Sequence, residues 1–309
     1  MRAKLLKFAA SSAPERLAVG EAGGMIAAEQ LTKRYGRVAA VDGASFRVGR
    51  GEAVALWGPN GAGKTTILRC LLGLARFDGT LRVGGLDPRR AGRDVRAMIG
   101  FVPQDLPVTS GTVGELSAFI AQVKGQSVAE ALQRLELLDI ADQTDKDVAA
   151  LSGGMKQRLA LALALIGSPP ILLLDEPTAN LDAHGRAELL QMLRRLKQDG
   201  LTILFSSHRP DDVVWLADRV LTVERGRITA DLTPEQFADR LGSSSRLVLH
   251  LANGHRYEAI ETLVQLGYEP RGDGAVVSVT LHANEKARVL ETLVRAGVEL
   301  EDFDVERGL

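Results

Sequence analysis

From Met25 to about Leu241, short apolar runs alternate with longer stretches of helical periodicity, the pattern of an α/β layer built on a largely parallel sheet. Ala44 to Val48 and Ala53 to Trp57 flank the turn Gly49-Arg50-Gly51 and read as two strands. A glycine-rich stretch follows Trp57, and a helix is expected from Lys64 to about Leu74. From about Gly111 to Leu165, apolar residues recur at helical spacing (Val128, Ala131, Leu132, Leu135, Leu138) with few strand signals, so a mostly helical lobe is expected there. Ile171 to Leu174 and Thr202 to Phe205 are brief apolar runs bounded by turns, as strands covered on both sheet faces read. Between them, Ala183 to Gln198 reads as a helix stopping at Gly200.

Gly242-Ser243-Ser244-Ser245 reads as a linker. Beyond it the pattern is strand (Arg246 to Leu251), helix (His255 to Leu266), turn around Gly272-Asp273-Gly274, strand (Ala275 to Leu281), helix (Asn284 to Ala296) and strand (Glu299 to Val305). With Tyr268 to Arg271 also extended, the order is βαββαβ, and a small α+β domain of ferredoxin-like order is expected over 246–309. Its two helices carry the similar cores Glu261-Thr262-Leu263-Val264 and Glu291-Thr292-Leu293-Val294, each followed by a glycine, Gly267 or Gly297, which points to a repeated βαβ unit.

At the other end, residues 1–24 carry early basic groups, but Leu5-Leu6-Lys7-Phe8-Ala9-Ala10 is broken by charge and followed by Ser, Pro and Glu, so no apolar signal core forms. This stretch reads as a loose arm, or as a start placed upstream of Met25.

Composition narrows the class. The 309 residues suit about two domains, and 45% hydrophobic with 25% charged residues are ordinary globular values. The longest apolar run, Leu159 to Gly167, ends at Ser168-Pro169-Pro170, far short of the roughly 20 residues that span a bilayer. Thirty-eight basic against 39 acidic residues give a net charge of -1, and aromatics are 4% of the chain, so there is no basic field or stacking platform and no nucleic-acid partner is expected. The one cysteine, Cys70, excludes an intrachain disulfide and a cysteine-based zinc site, which fits a reducing compartment.

Gly58-Pro59-Asn60-Gly61-Ala62-Gly63-Lys64-Thr65 fits GxxxxGK[ST], between a predicted strand and a predicted helix as that motif requires. Glycines allow backbone N–H groups to turn inward around phosphate oxygens, and the helix N-terminus adds positive potential. Lys64 can reach the β/γ-phosphates, and Thr65 can ligate Mg²⁺. Leu172-Leu173-Leu174-Asp175-Glu176 puts two carboxylates at the C-terminal end of an apolar strand, where open α/β sheets hold their ligands. Asp175 is assigned to the Mg²⁺ shell and Glu176 to polarising the attacking water, since neighbouring carboxylates beside a metal divide these roles.

Over Met25 to Leu241 these residues resemble the nucleotide-binding subunits of ATP-binding-cassette (ABC) transporters. Leu151-Ser152-Gly153-Gly154-Met155 is similar to the family's LSGGQ signature, with Met155 in place of glutamine. Gln104, in Gly100-Phe101-Val102-Pro103-Gln104, matches the Q-loop, which contacts Mg²⁺ or the water. His208, in Ser206-Ser207-His208, matches the switch histidine at the γ-phosphate. Tyr35 matches the aromatic that stacks on adenine, and Asn180-Leu181-Asp182 matches the D-loop, with Asn where Ala is frequent. Thr66 extends the phosphate cradle. The resemblance implies a P-loop NTPase cassette with a mixed, largely parallel sheet core over 25–241, and a helical lobe at about 105–165.

It also implies a mechanism. Ser152, Gly153 and Gly154 would reach ATP held by an opposite subunit, so a homodimer or heterodimer closes on two Mg²⁺-ATP and hydrolysis reopens it. The stroke would act on a separate transmembrane permease at the cytoplasmic face of the cell membrane, docked near Gln104 and the segment Val113 to Val123. The core resembles the ATPases of ABC-2-type exporters and of the transporter that assists copper-site maturation in nitrous oxide reductase, so export is expected. The alternative is a soluble ABC ATPase regulating a macromolecular partner, but the chain carries one cassette and no long heptad run. For the tail, a dimer or partner contact stands beside small-molecule sensing, and His250, His255 and His282 read as surface residues.

Overall fold

The computed structural model describes residues 24–107, 110–242, 245–252, 255–273, 276–281 and 285–307. The arm expected over 1–24 lies, but for Gly24, outside them, as do His282 and Ser243 and Ser244 of the expected linker. The chain divides into two compact units, Met1–Pro234 and Glu235–Leu309.

In the first unit, β1 (Ile26–Tyr35), β2 (Val38–Val48) and β4 (Asp78–Val83) form an antiparallel sheet in the order β2-β1-β4. The strand expected from Ala44 starts earlier, at Val38, because Tyr35 pairs with Val38 across a hairpin whose Gly36 takes φ 58°. A second sheet holds β3 (Ala53–Trp57), β5 (Ile99–Val102), β6 (Ile171–Asp175), β7 (Thr202–Ser207), β8 (Arg219–Glu224) and β9 (Arg227–Leu232), ordered β5-β6-β7-β3-β8-β9. Its pairs are parallel except β8 with β9. Every residue of β6 and β7 is buried, which explains their unbroken apolar reading.

Helix α1 (Lys64–Leu71) stops short of the expected Leu74. Gly73 takes φ 68°, its N–H donates to the Cys70 carbonyl, and the Leu74 N–H donates to that of Arg69, the paired bonds of a Schellman stop. A short helix α2 (Gly92–Ala97) precedes β5. The lobe comprises α3 (Val113–Val123), α4 (Val128–Leu137) and α5 (Gly153–Leu165). Thr112 and Glu115 close a capping box on α3, and Ser127 caps α4. Within α4, Ala131 and Leu135 are buried, but Val128 and Leu132 face outward, so the apolar face is narrower than the sequence spacing suggests. Helix α5 is buried along Leu159–Leu165, and the Lys124 ammonium donates to the carbonyls of Leu163, Ala164 and Ile166 at its end. Helices α6 (Ala183–Gln198) and α7 (Pro210–Leu216) flank β7 in sequence, and Asp182 caps α6 through the Gly185 N–H.

The second unit contains α8 (Pro234–Gly242), β10 (Ser245–Leu251), α9 (Arg256–Gln265), β11 (Arg271–Asp273), β12 (Val276–Leu281), α10 (Lys286–Arg295) and β13 (Leu300–Arg307). From β10 onward the order is βαββαβ, with strands arranged β11-β12-β10-β13 in antiparallel pairs. The extended piece expected at Tyr268 to Arg271 appears later, as Arg271–Asp273. The repeat is geometric as well as sequential: Leu263 and Leu293 are buried, and Gly267 and Gly297 end their helices at φ 86° and 82°. The Thr262 and Thr292 hydroxyls donate to carbonyls four residues back, each at 2.7 Å.

Candidate active site

Strand β3 ends at Trp57, and the chain turns through Gly58–Gly63 into α1. Two glycines are demanded by the protein itself. A Cβ on Gly58 would lie 2.2 Å from the Val223 carbonyl oxygen, and one on Gly63, at φ 108°, would lie 2.3 Å from that of Ala40. Close backbone packing thus requires them, beyond the approach of a phosphate. Gly63 gives α1 no side-chain cap, and its first turn holds no acid, so the positive end of the helix faces the loop uncompensated.

Lys64 is 4% exposed. Its ammonium donates to the carbonyls of Gly58 (2.7 Å) and Pro59 (3.1 Å) and lies 3.3 Å from Glu176 Oε1. The Thr65 hydroxyl donates to Asp175 Oδ1 at 3.1 Å, across the sheet from the end of β6. Glu176, directly after β6, takes φ 48°, a left-handed conformation that costs a non-glycine residue about 1–2 kcal/mol. His208, just beyond β7, places Nδ1 2.8 Å from Glu176 Oε2. A cleft of about 300 Å³ opens over these groups, lined by Ala40, Asn60, Gly61, Ala62, Gly63, Lys64, Thr65, Thr66, Gln104 and Glu176. Such a concavity, with a buried cation and helix-end amides on one wall, suits a polyphosphate.

A matching family, ABC transporter, covers residues 41–179. The daunorubicin resistance ATP-binding protein DrrA2 of Streptomyces coeruleorubidus is 34% identical over 91% of this chain and 91% of its own. The chain belongs to the ABC transporter family. The aliphatic sulfonates import ATP-binding protein SsuB of Yersinia pestis is 39% identical over 72% of this chain and 81% of its own, and the Nod factor export ATP-binding protein I of Paraburkholderia xenovorans is 41% identical over 67% of this chain and 70% of its own, so relatives include both directions of transport. Among solved structures, the dimeric post-hydrolysis state of the ATP-binding cassette MJ0796 with ADP and Pi is 26% identical, with a TM-score of 0.62 over 68% of this chain and 99% of that one. This ABC protein is accordingly an ATP-binding and ATP-hydrolysing subunit of a transporter.

The remaining residues singled out in the sequence sit apart from the cleft walls. Tyr35, at the end of β1, is half exposed, with the Lys33 ammonium 4.7 Å from its ring centroid. Ser152 caps α5, accepting the Met155 N–H at 3.3 Å, and Gly153 and Gly154 open that helix. Asn180 donates to Asp105, next to Gln104, at 2.9 Å. One residue escaped sequence reasoning: Ser206, whose hydroxyl donates to Asp175 Oδ1 at 2.7 Å and accepts the Glu176 N–H at 2.8 Å. Its only sequence signal was its place two residues before His208.

Proposed function

We propose that this ABC ATPase drives export through a separate transmembrane permease, as one half of a dimer that closes on two ATP molecules. The observation that carries the reading is the meeting of Lys64 and His208 at the Glu176 carboxylate, beside a cleft whose walls include Lys64 and Glu176 but not Ser152, Gly153 or Gly154. Lys64 and the amides from Gly58 to Thr66 take the phosphates, and Tyr35 takes the adenine. Glu176 draws the proton of the attacking water, held in place by His208, and Gln104 orients that water. Signature residues unused by their own cleft are free to cap the nucleotide of an opposite subunit. The signature contacts to the γ-phosphate exist only in the closed pair, so ATP favours closure by its differential affinity, and hydrolysis removes it.

The oxygen donors of Thr65 and Asp175, within 3.1 Å of one another at the cleft, fit Mg²⁺, a hard cation that takes few protein ligands and keeps phosphate oxygens and waters. Thr65 and Asp175 would hold it, with Gln104 beside it, and it would neutralise charge on the phosphates.

Export rests on the resemblance to ABC-2-type exporter ATPases and on the Nod factor export relative, 41% identical to this chain against 39% for the sulfonate importer. No helix among the described residues is long and apolar enough to cross a membrane; in this reading a separate permease supplies the membrane path and the ATPase sits at its cytoplasmic face. On α3, Phe119 and Val123 are 59% and 68% exposed, an apolar pair one turn apart that suits a permease helix. The second unit serves as a contact between subunits or with the permease.

The test is Glu176→Gln, followed by gel filtration with Mg²⁺-ATP and by ATPase assay. It is expected to bind ATP, lose hydrolysis and accumulate as a dimer, while Lys64→Ala loses nucleotide affinity. A Glu176→Gln chain that stays monomeric in ATP overturns the sandwich.

A further inference from the structure

Ser206 is fully buried on β7, the strand lying between β3 and β6, and it stands level with Leu56 on one side and Asp175 on the other. A serine hydroxyl has one proton to give and can accept in return. Here the proton goes to Asp175 Oδ1 at 2.7 Å, the same oxygen that the Thr65 hydroxyl reaches at 3.1 Å. The acceptor side receives the Glu176 N–H at 2.8 Å, where the backbone leaves the sheet with φ 48°. A conformation of that kind persists only where its surroundings hold it. One side chain therefore orients the carboxylate of Asp175 and anchors the main chain of Glu176. The neighbouring Ser207 does neither, its hydroxyl accepting the Arg209 N–H at 3.0 Å.

We propose that Ser206 is a positioning residue for ATP hydrolysis: its hydroxyl holds Asp175 and Glu176 in the relative geometry that nucleotide and water require. The proposal rests on the roles of Asp175 and Glu176 given above. Without the hydroxyl, a half-buried N–H and a buried carboxylate oxygen each lose a partner, and Glu176 drifts from the point where it meets Lys64 and His208. Displacements on the order of an ångström in such groups lower turnover far more than binding.

The experiment uses the full chain with Ser206→Ala, Ser206→Cys and Ser206→Thr. Affinity for a fluorescent ATP analogue is measured with EDTA and with Mg²⁺, and kcat and KM are measured with Mg²⁺-ATP. For Ser206→Ala, affinity in EDTA is expected to stay within about twofold, while kcat falls about tenfold or more and KM moves by less than about threefold. The gain in affinity on adding Mg²⁺ is expected to shrink, because Asp175 is no longer aimed. Ser206→Cys fills nearly the same volume but bonds weakly, so it follows Ser206→Ala, and it carries the test should the alanine chain fail to fold. Ser206→Thr keeps the hydroxyl and is expected to recover most of kcat and the Mg²⁺ gain.

Wild-type kcat and Mg²⁺ gain in the alanine or cysteine chain overturn the proposal, as does equal loss in the threonine chain. Failure of the transport ATPase reading shows differently, as an unsubstituted chain that binds no ATP in either condition, and overturns both.

Discussion

Glu176 Oε2 and His208 Nδ1 stand 2.8 Å apart although 32 residues separate them in the chain. The contact follows from register: β6 and β7 run parallel with Asp175 opposite Ser206, so the residues just beyond each strand emerge at the same edge of the sheet. On its other side the Glu176 carboxylate meets Lys64 at 3.3 Å. A single carboxylate thus joins the phosphate loop to the end of β7.

That relationship makes His208 separable from nucleotide binding. His208→Ala removes the partner that orients Glu176 but leaves the loop from Gly58 to Thr66 intact. ATP affinity is expected to stay within about threefold, and kcat to fall by roughly a hundredfold, the lower range for loss of a positioned proton-transfer group. Steady-state ATPase assays beside equilibrium nucleotide binding check this; unchanged kcat would take His208 out of the reaction.

Two glycines in different environments are expected to behave oppositely. Gly63→Ala forces a Cβ against the Ala40 carbonyl at φ 108°, so the loop shifts, thermal stability falls by about 1–3 kcal/mol, and ATP affinity falls with it. Gly154→Ala meets nothing within 4 Å, so the folded chain and its ATP affinity persist while ATP-dependent dimerisation is lost. Thermal melts and gel filtration with ATP distinguish the two.

Lys124 gives stability a particular pH dependence. Burial, the largest influence, lowers its ammonium from 10.5 to about 8. Between those two values the unfolded chain holds a proton that the folded chain has released, so this group makes folding more favourable as pH rises through that window. Lys124→Met leaves the carbonyls at the end of α5 without their donor and lowers stability at pH 7. Urea midpoints from pH 7 to 10 are expected to show the gap between parent and variant widening above about pH 8; a constant gap would mean that the lysine keeps its ordinary affinity for protons.

Local signals were legible because each is contained within a few residues. The phosphate loop, the acids after an apolar run and helix Ala183–Gln198 need only neighbours in sequence to be recognised. Where the structure departs from a local pattern, backbone geometry or packing is the cause. The helix expected to run to Leu74 is ended by Gly73, and Val128 and Leu132 carry helical spacing yet face outward because the lobe covers only one side of α4. The paired tail motifs were visible as a four-residue match; that both threonines bond back along their helices emerged only with the backbone in place.

The amino-acid sequence by itself determined that this chain holds a phosphate loop, a carboxylate pair and a helical lobe, since hydrophobic period, glycine spacing and strand-end acids are written in order along it. Tertiary structure alone decided that β7 lies between β3 and β6, that Ser206 ties Asp175 to Glu176, and that His208 meets Glu176. The reason is physical: a buried apolar strand can pair with any neighbour that covers it, and only the packed sheet selects which strand, in which register, brings distant polar groups within hydrogen-bonding reach.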